Sequence, residues 1–349
     1  MKIEWAPLQV PLARRLQTLV TACFTYTIIS MPLLAWIMTG LLLYYGCLIL
    51  RSLLMIYFVI IYKDYKKNYG TMEGNGWSFY RSNPKYRNYF PVELVKTVEL
   101  PANKNYILAC FPHGILGTGI CVNMGMDIAR WLELFPQVRP KIATLDHHFK
   151  TPILRDIVRY WGMVSVSKDS LGYLLSKSND PKHEDNRDGF TSNAVAILVG
   201  GAQEAMDSYP GQYILTLKNR KGFVKMAIRT GSSIVPTFSF GEVDIYDQVA
   251  NPPESLLRRF QNVFKKFTGI SPLLPKGRGM FNYSFGILPH RRRIVQVVGS
   301  PIEVVKSDQP DAAYVDKIHG EVMKALEKMF EEYKEKYIPN TKQNKLIIQ

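Results

Sequence analysis

Four cysteines, Cys23, Cys47, Cys110 and Cys121, are all that this chain of 349 residues holds, and no two form a C-x-x-C pair. That scarcity excludes a disulfide scaffold and a structural zinc site, and reduced thiols fit a cytosol-facing domain. No G-x-S-x-G elbow occurs, which argues against a serine hydrolase. No G-x-x-x-x-G-K-[ST] or G-x-G-x-x-G opens a helix, so nucleotide hydrolysis and dinucleotide redox chemistry lose support. Acidic residues are few: 29 Asp and Glu stand against 44 Lys and Arg, a net charge of +15. Such an excess fits a merely basic soluble surface, an anionic membrane face or a polyphosphate-bearing ligand. Nucleic acid is not expected as a partner, because no binding motif is visible and aromatics do not interleave with the basic runs.

Charge of either sign is missing between Arg15 and Arg51. As helix, that stretch would run roughly 50 Å at ~1.5 Å per residue. One crossing of a ~30 Å hydrocarbon core needs about 20 residues, so the spacing predicts two antiparallel arms, with the turn at Pro32 or Gly40. A second apolar run, Leu53 to Tyr62, stops at Lys63, Lys66 and Lys67. Basic residues flank both ends, which places both in the cytosol. The apolar part is too long for a signal peptide and shows no small-residue cleavage site. A full second crossing from Gly40 would put Arg51 near mid-bilayer at some cost, whereas short arms turning at Pro32 would put it at the interface. Residues 1–67 therefore read as a membrane hairpin with basic flanks, and 68–349 as a cytosol-facing domain.

After Lys67, Gly70 to Asn88 is polar and reads as a linker. Short apolar runs then alternate with helical patterns. The strand expectations are Tyr106–Cys110, Ala194–Val199, Ile234–Phe238 and Ile294–Val298. The helix expectations are Thr151–Tyr160, Gly222–Arg229, Glu254–Lys266 and Ala312–Lys336. This alternation predicts an α/β fold, helices covering a largely buried sheet. Asn179–Gly189 reads as a mobile polar loop.

Pro112-His113-Gly114 closes a strand, with Phe111 before it. Proline ends the ladder and glycine admits close approach of a ligand. The imidazole of His113 is left at a strand's end, where α/β sheets place ligands, and histidine is the usual general base near neutral pH. Gly200-Gly201-Ala202-Gln203-Glu204 follows the strongest strand. Its glycines again admit close approach, and Glu204 can orient a histidine or hold an acceptor hydroxyl. Arg220, Lys221 and Lys225 open a basic helix that suits the phosphates of a molecule such as coenzyme A. Each motif alone is also compatible with a structural histidine, a turn glutamate or a solvated basic face. His147 and His148 follow Asp146, but no third ligand has motif spacing, so no metal is expected. Arg291-Arg292-Arg293 is a candidate anchor to lipid phosphates.

Taken in order, these stretches resemble the type-2 diacylglycerol acyltransferase family, which includes monoacylglycerol and wax-alcohol acyltransferases. The likeness runs from about Tyr62 to about Glu331. It is carried by the stretches Tyr89–Thr97, Asn105–Gly114, Phe149–Arg155, Gly200–Ala205, Arg220–Val224 and Val235–Glu242. The resemblance implies a membrane-anchored core of a mixed sheet flanked by helices, behind an N-terminal hydrophobic hairpin. It implies an endoplasmic-reticulum enzyme, its domain facing the cytosol and lipid droplets within reach. The expected reaction moves a fatty acyl group from acyl-CoA, a co-substrate rather than a resident cofactor, to the hydroxyl of diacylglycerol. Monoacylglycerol or a long-chain alcohol as acceptor, and a non-catalytic hairpin protein, are the alternatives. His113 and Glu204 are the expected catalytic pair. Phe111, Pro112, Gly114, Gly200, Gly201, Arg220, Lys221 and Lys225 are the expected substrate-binding residues. The family's motif usually reads His-Pro-His-Gly, so Phe111 departs from it. Thr118 rules out an H-x4-D pair.

Overall fold

Helices come first in the computed structural model, which describes residues 3–68, 88–126, 128–186, 188–268, 271–339 and 344–349. The expected linker, Gly70 to Asn88, lies outside the described residues but for Asn88. Helix α1 (Leu12–Tyr45) is followed by α2 (Leu48–Asn68), with Gly46 and Cys47 alone between them. The turn is therefore at Gly46–Cys47, and the expectation of a turn at Pro32 or Gly40 is corrected. Pro32 sits inside a continuous helix. Proline forfeits one backbone bond there, but an apolar segment gains by keeping all the others internal. Arg51 thereby lies in the first turn of α2, at the hairpin tip, where its guanidinium donates to the Tyr44 carbonyl at 2.8 Å. That bond satisfies one of the orphan acceptors at the end of α1.

The core is a seven-stranded sheet in the order β1-β10-β7-β2-β5-β3-β4. The strands are β1 (Val92–Lys96), β2 (Tyr106–Phe111), β3 (Val138–Thr144), β4 (Val164–Ser165), β5 (Ser192–Leu198), β7 (Ser233–Phe240) and β10 (Ile294–Val298). Strands β7, β2, β5, β3 and β4 run parallel, so their carboxyl ends share one edge. Strand β10 is antiparallel to β7, which makes the sheet mixed. All four expected strands are present within a residue or two. The expectation missed β1, β3 and β4; in β3 the residues Arg139, Pro140 and Lys141 break the apolar run.

Alternation along β2 divides two cores. Tyr106, Leu108 and Cys110 face one; Ile107, Ala109 and Phe111 face the other. The first core is closed by α3 (Thr118–Ile120) with its π-helical continuation Cys121–Met126, by α4 (Ile128–Leu134) and by α5 (Leu154–Tyr160). The second is closed by α6 (Lys168–Leu175), α8 (Gly222–Thr230) and α10 (Ala312–Tyr337). Between them come α7 (Gly201–Met206), which follows β5, and α9 (Leu256–Thr268). A short strand β6 (Tyr213–Leu215) pairs with β11 (Leu346–Ile348), and β8 (Asp247–Gln248) pairs with β9 (Pro275–Lys276).

Both arms of the hairpin meet the core around α5. Phe24 of α1 packs against Trp161 in a tilted ring pair, 5.1 Å between centroids. From α2, the Tyr57 hydroxyl donates to Asp156 and accepts from the Ile153 amide at 2.9 Å, while Asp64 pairs with Arg155 and Arg159. Past these contacts the arms expose apolar side chains, Leu41, Tyr44, Tyr45, Leu48, Ile49 and Leu53 among them. The α1 helix is long and apolar enough to cross a membrane. Arg291 does not reach outward to lipid as expected. It donates to Gln17 at 2.7 Å, to the carbonyl of Arg14 and to Thr18, and lies 4.0 Å over the Tyr89 ring. Arg291 thus straps α1 to the sheet domain, and Arg293 is paired with Glu93 at 2.5 Å. In the expected polar loop, two asparagines are tied down. Asn179 and Asn186 bond to backbone carbonyls of Thr191, Ser178 and Asp180.

Candidate active site

His113 and Glu204 hang from the shared carboxyl edge of the parallel strands, the place where open α/β sheets bind ligands, and a third residue, Glu242, joins them there. His113 follows β2, Glu204 follows β5 on α7, and Glu242 follows β7. Within Phe111–Gly114 only His113 is partly exposed. Its Nδ1 lies 3.1 Å from the carbonyl oxygen of Gly114. A carbonyl can only accept, so Nδ1 carries the hydrogen and Nε2 keeps its lone pair. Burial lowers the imidazole pKa below its ordinary value, so the ring is neutral near pH 7.

Glu204 lies beside His113, but not against its ring. One carboxylate oxygen accepts the backbone N–H of His113 at 2.6 Å, the other that of Thr216 at 2.8 Å. The expectation that Glu204 orients the imidazole is therefore corrected: it fixes the backbone that presents the imidazole. The ring is turned by its neighbour's carbonyl instead. Glu204 is 1 % exposed, and burial raises its pKa to about 7, opposed by those two amides and by nearby Arg220.

Glu242 is the residue that sequence reasoning missed. It ends the last matching stretch, yet carried no assigned role. Its carboxylate accepts the N–H groups of Thr118 and Gly119, both at 2.7 Å, and burial raises its pKa to about 7 as well. The loop from His113 to Gly119 is thus gripped at both ends by buried carboxylates on neighbouring strand ends. Thr118 contributes a backbone donor where an H-x4-D motif would supply an acid. Gly114 has φ +58°, and a Cβ there would sit 2.7 Å from the Glu242 Cγ. Gly200 is equally constrained, because a Cβ would meet the Glu204 carboxylate at 2.0 Å. The close approach expected at these glycines is made by the protein's own carboxylates.

Phe111 is removed from the substrate-binding set. It is fully buried in the core beneath α8 and α10, on the face of β2 that alternation assigns it, paired across from Phe238. Pro112 is buried and joined to Phe111 by a cis peptide bond. The basic trio does not act as one cluster. Arg220 is exposed and within electrostatic reach of Glu204, whereas Lys221 is paired with Asp316 of α10 at 2.7 Å, and Lys225 neighbours the same carboxylate. His148 bonds Thr144 at 3.1 Å, and its burial pushes its pKa down to about 4. Among the described residues, no three of His, Cys, Asp and Glu converge as metal ligands would. A cleft of about 410 Å³ opens beside α7, lined by Gln203, Asp207, Tyr209 and Asn251 among others, but His113 and Glu204 do not line it.

A neutral histidine at the carboxyl edge of a mixed sheet, its loop held by two buried carboxylates and its domain strapped to an apolar hairpin, is an α/β arrangement suited to general-base chemistry. The family model described as diacylglycerol acyltransferase matches residues 41–349. Diacylglycerol O-acyltransferase 2 of Dictyostelium discoideum is 37 % identical over 335 residues, covering 95 % of this chain and 96 % of that protein. 2-acylglycerol O-acyltransferase 1 of Bos taurus is 36 % identical over 345 residues, covering 97 % of each. A solved bacterial structure, the LPA acyltransferase PlsC from Thermotoga maritima, is similar with a TM-score of 0.38 at 14 % identity, over 92 % of this chain and 99 % of that one. The chain belongs to the diacylglycerol acyltransferase family and is an acyltransferase.

Proposed function

We propose that this enzyme transfers a fatty acyl group from acyl-CoA to the free hydroxyl of diacylglycerol, by direct attack and without an acyl-enzyme. The observation that carries the mechanism is the Nδ1 contact of His113 with the Gly114 carbonyl, which leaves Nε2 as the base. In this reading Nε2 takes the proton of the acceptor hydroxyl as its oxygen attacks the thioester carbonyl. The tetrahedral oxyanion is met by backbone amides near Gly114 or Gly201. It collapses with cleavage of the C–S bond, and the imidazolium returns its proton to the leaving thiolate. The products are an ester and free coenzyme A. Arg220 serves the coenzyme A phosphates, and Lys221 and Lys225 join it only if Asp316 releases them. No resident cofactor or metal enters any step.

The hairpin supports a site held at a membrane, where long acyl chains and diacylglycerol are concentrated. An exposed apolar tip closed by Arg51 and flanked by Tyr44 and Tyr45 suits a bilayer interface. The resemblance to the type-2 family implies an endoplasmic-reticulum location, with lipid droplets as a further residence, and the basic flanks support a sheet domain on the cytosolic side. Monoacylglycerol is a second acceptor reading, favoured by the bovine relative that matches nearly as well as the amoebal one. Purified full chain with radiolabelled oleoyl-CoA and a panel of diacylglycerol, monoacylglycerol, long-chain alcohol and lysophosphatidic acid tests both. Labelled triacylglycerol as the main product is expected. Labelled product from no acceptor would overturn the reading.

A further inference from the structure

Helix α9 (Leu256–Thr268) is inside out. Its polar face points inward. The Arg258 guanidinium bonds the Asn251 carbonyl at 2.9 Å and pairs with Asp207. Gln261 accepts from Asn251 at 2.8 Å and donates to the Pro272 carbonyl at 3.0 Å. Lys265 reaches Gln203 at 2.5 Å, next to Glu204. At 3.6 residues per turn, Leu256, Phe260, Val263 and Phe264 then form one stripe on the opposite face. They are 82, 56, 56 and 36 % exposed. The inward bonds fix the rotation of the helix, so the stripe cannot turn back into the core. Along one flank lie the exposed cations Arg259 and Lys266, and the helix holds no acidic residue.

An apolar stripe bordered by cations without anions matches a bilayer surface, which offers an acyl boundary to the first and lipid phosphates to the second. A protein partner would have to bring acids to the same flank. We infer that α9 is a second membrane contact of this protein: it lies in the plane of an anionic phospholipid surface, its stripe sunk to the headgroup–acyl boundary. Because α9 is bonded to α7, the helix of Glu204, this contact sets the height of the His113 loop above the lipid. The hairpin tethers the domain and α9 fixes its tilt.

The test uses the full chain with Cys23→Ser and Cys47→Ser, the two exposed thiols; Cys110 and Cys121 are buried. An environment-sensitive fluorophore is attached at Phe260→Cys or at Asn262→Cys, an exposed position on the other side of the helix. The protein is reconstituted in phosphatidylcholine vesicles, with and without phosphatidylserine, carrying brominated acyl chains. Blue-shifted emission and quenching at position 260, neither at 262, and stronger quenching with phosphatidylserine are expected. Arg259→Glu with Lys266→Glu should abolish the phosphatidylserine dependence. Equal, water-like emission at both positions overturns the inference. So does protection at 260 that appears in detergent without lipid and rises with protein concentration, which would mean a second copy covers the stripe. The readout needs no turnover, so it stands apart from failure of the acyl-transfer reading.

Discussion

Replacing Glu204 by alanine leaves two part-buried amides, His113 N–H and Thr216 N–H, without their acceptor. Each orphaned donor costs about 1–3 kcal/mol, so the sum is about 2–6 kcal/mol. Glutamine retains one acceptor oxygen but turns its NH2 toward the second donor, so Glu204→Gln costs about 1–3 kcal/mol. If that cost is taken as displacement of the His113 loop, it lowers the transfer rate about 5- to 150-fold, since about 1.4 kcal/mol is tenfold. The Glu242 carboxylate grips the same loop through Thr118 and Gly119, so Glu242→Gln should cost a similar amount. The assay is kcat for labelled acyl transfer, with the melting temperature of each variant read alongside. A graded loss in both, alanine worse than glutamine at each position, is expected. Wild-type rate and stability in Glu204→Ala would refute the gripped-loop account.

Acid and base should act in opposite directions on stability and rate. Folding raises Glu204 and Glu242 from 4.5 to about 7, so the folded chain binds more protons than the unfolded chain between those values. Their contribution to stability is thus full below pH 4.5 and lost as pH rises through 7, by about 3 kcal/mol each at most; thermal melts against pH, flattened in the Glu204→Gln/Glu242→Gln double variant, check this. The charged carboxylates are the better acceptors, so the rate should fall as pH drops below about 7, and that limb should shift in either glutamine variant. Phe111→Ala should cost about 3–5 kcal/mol of stability as a core truncation, with the ratio of acceptors used unchanged. Gly114→Ala should abolish transfer, because its Cβ would strike Glu242 in a backbone conformation that alanine resists.

Much of the site was legible because strand ends carry their own punctuation. Glycine or proline after an apolar run marked both His113 and Glu204, and the sheet brings both to one edge. What Glu204 does there was not legible, since its partners are backbone groups, and every residue has those. Glu242 escaped for the same reason, its partners lying 124 and 123 positions away. The place of Phe111 is not legible because both faces of β2 are apolar, so parity alone does not say which face borders the site. Proline breaks helices by a rule that holds in water and weakens in an apolar segment, as at Pro32. The apolar period of α9 looks in sequence like an ordinary core face. Only Arg258, Gln261 and Lys265, each finding an inward partner, show that it points out.

The account turns on the imidazole of His113 as the base. The most direct measurement compares purified His113→Ala with the wild-type chain in transfer of labelled oleoyl-CoA to diacylglycerol, with melting temperature confirming that both are folded. A loss of about a hundredfold or more is predicted, the usual contribution of a positioned general base. A folded His113→Ala enzyme that still makes triacylglycerol at the wild-type rate would contradict it.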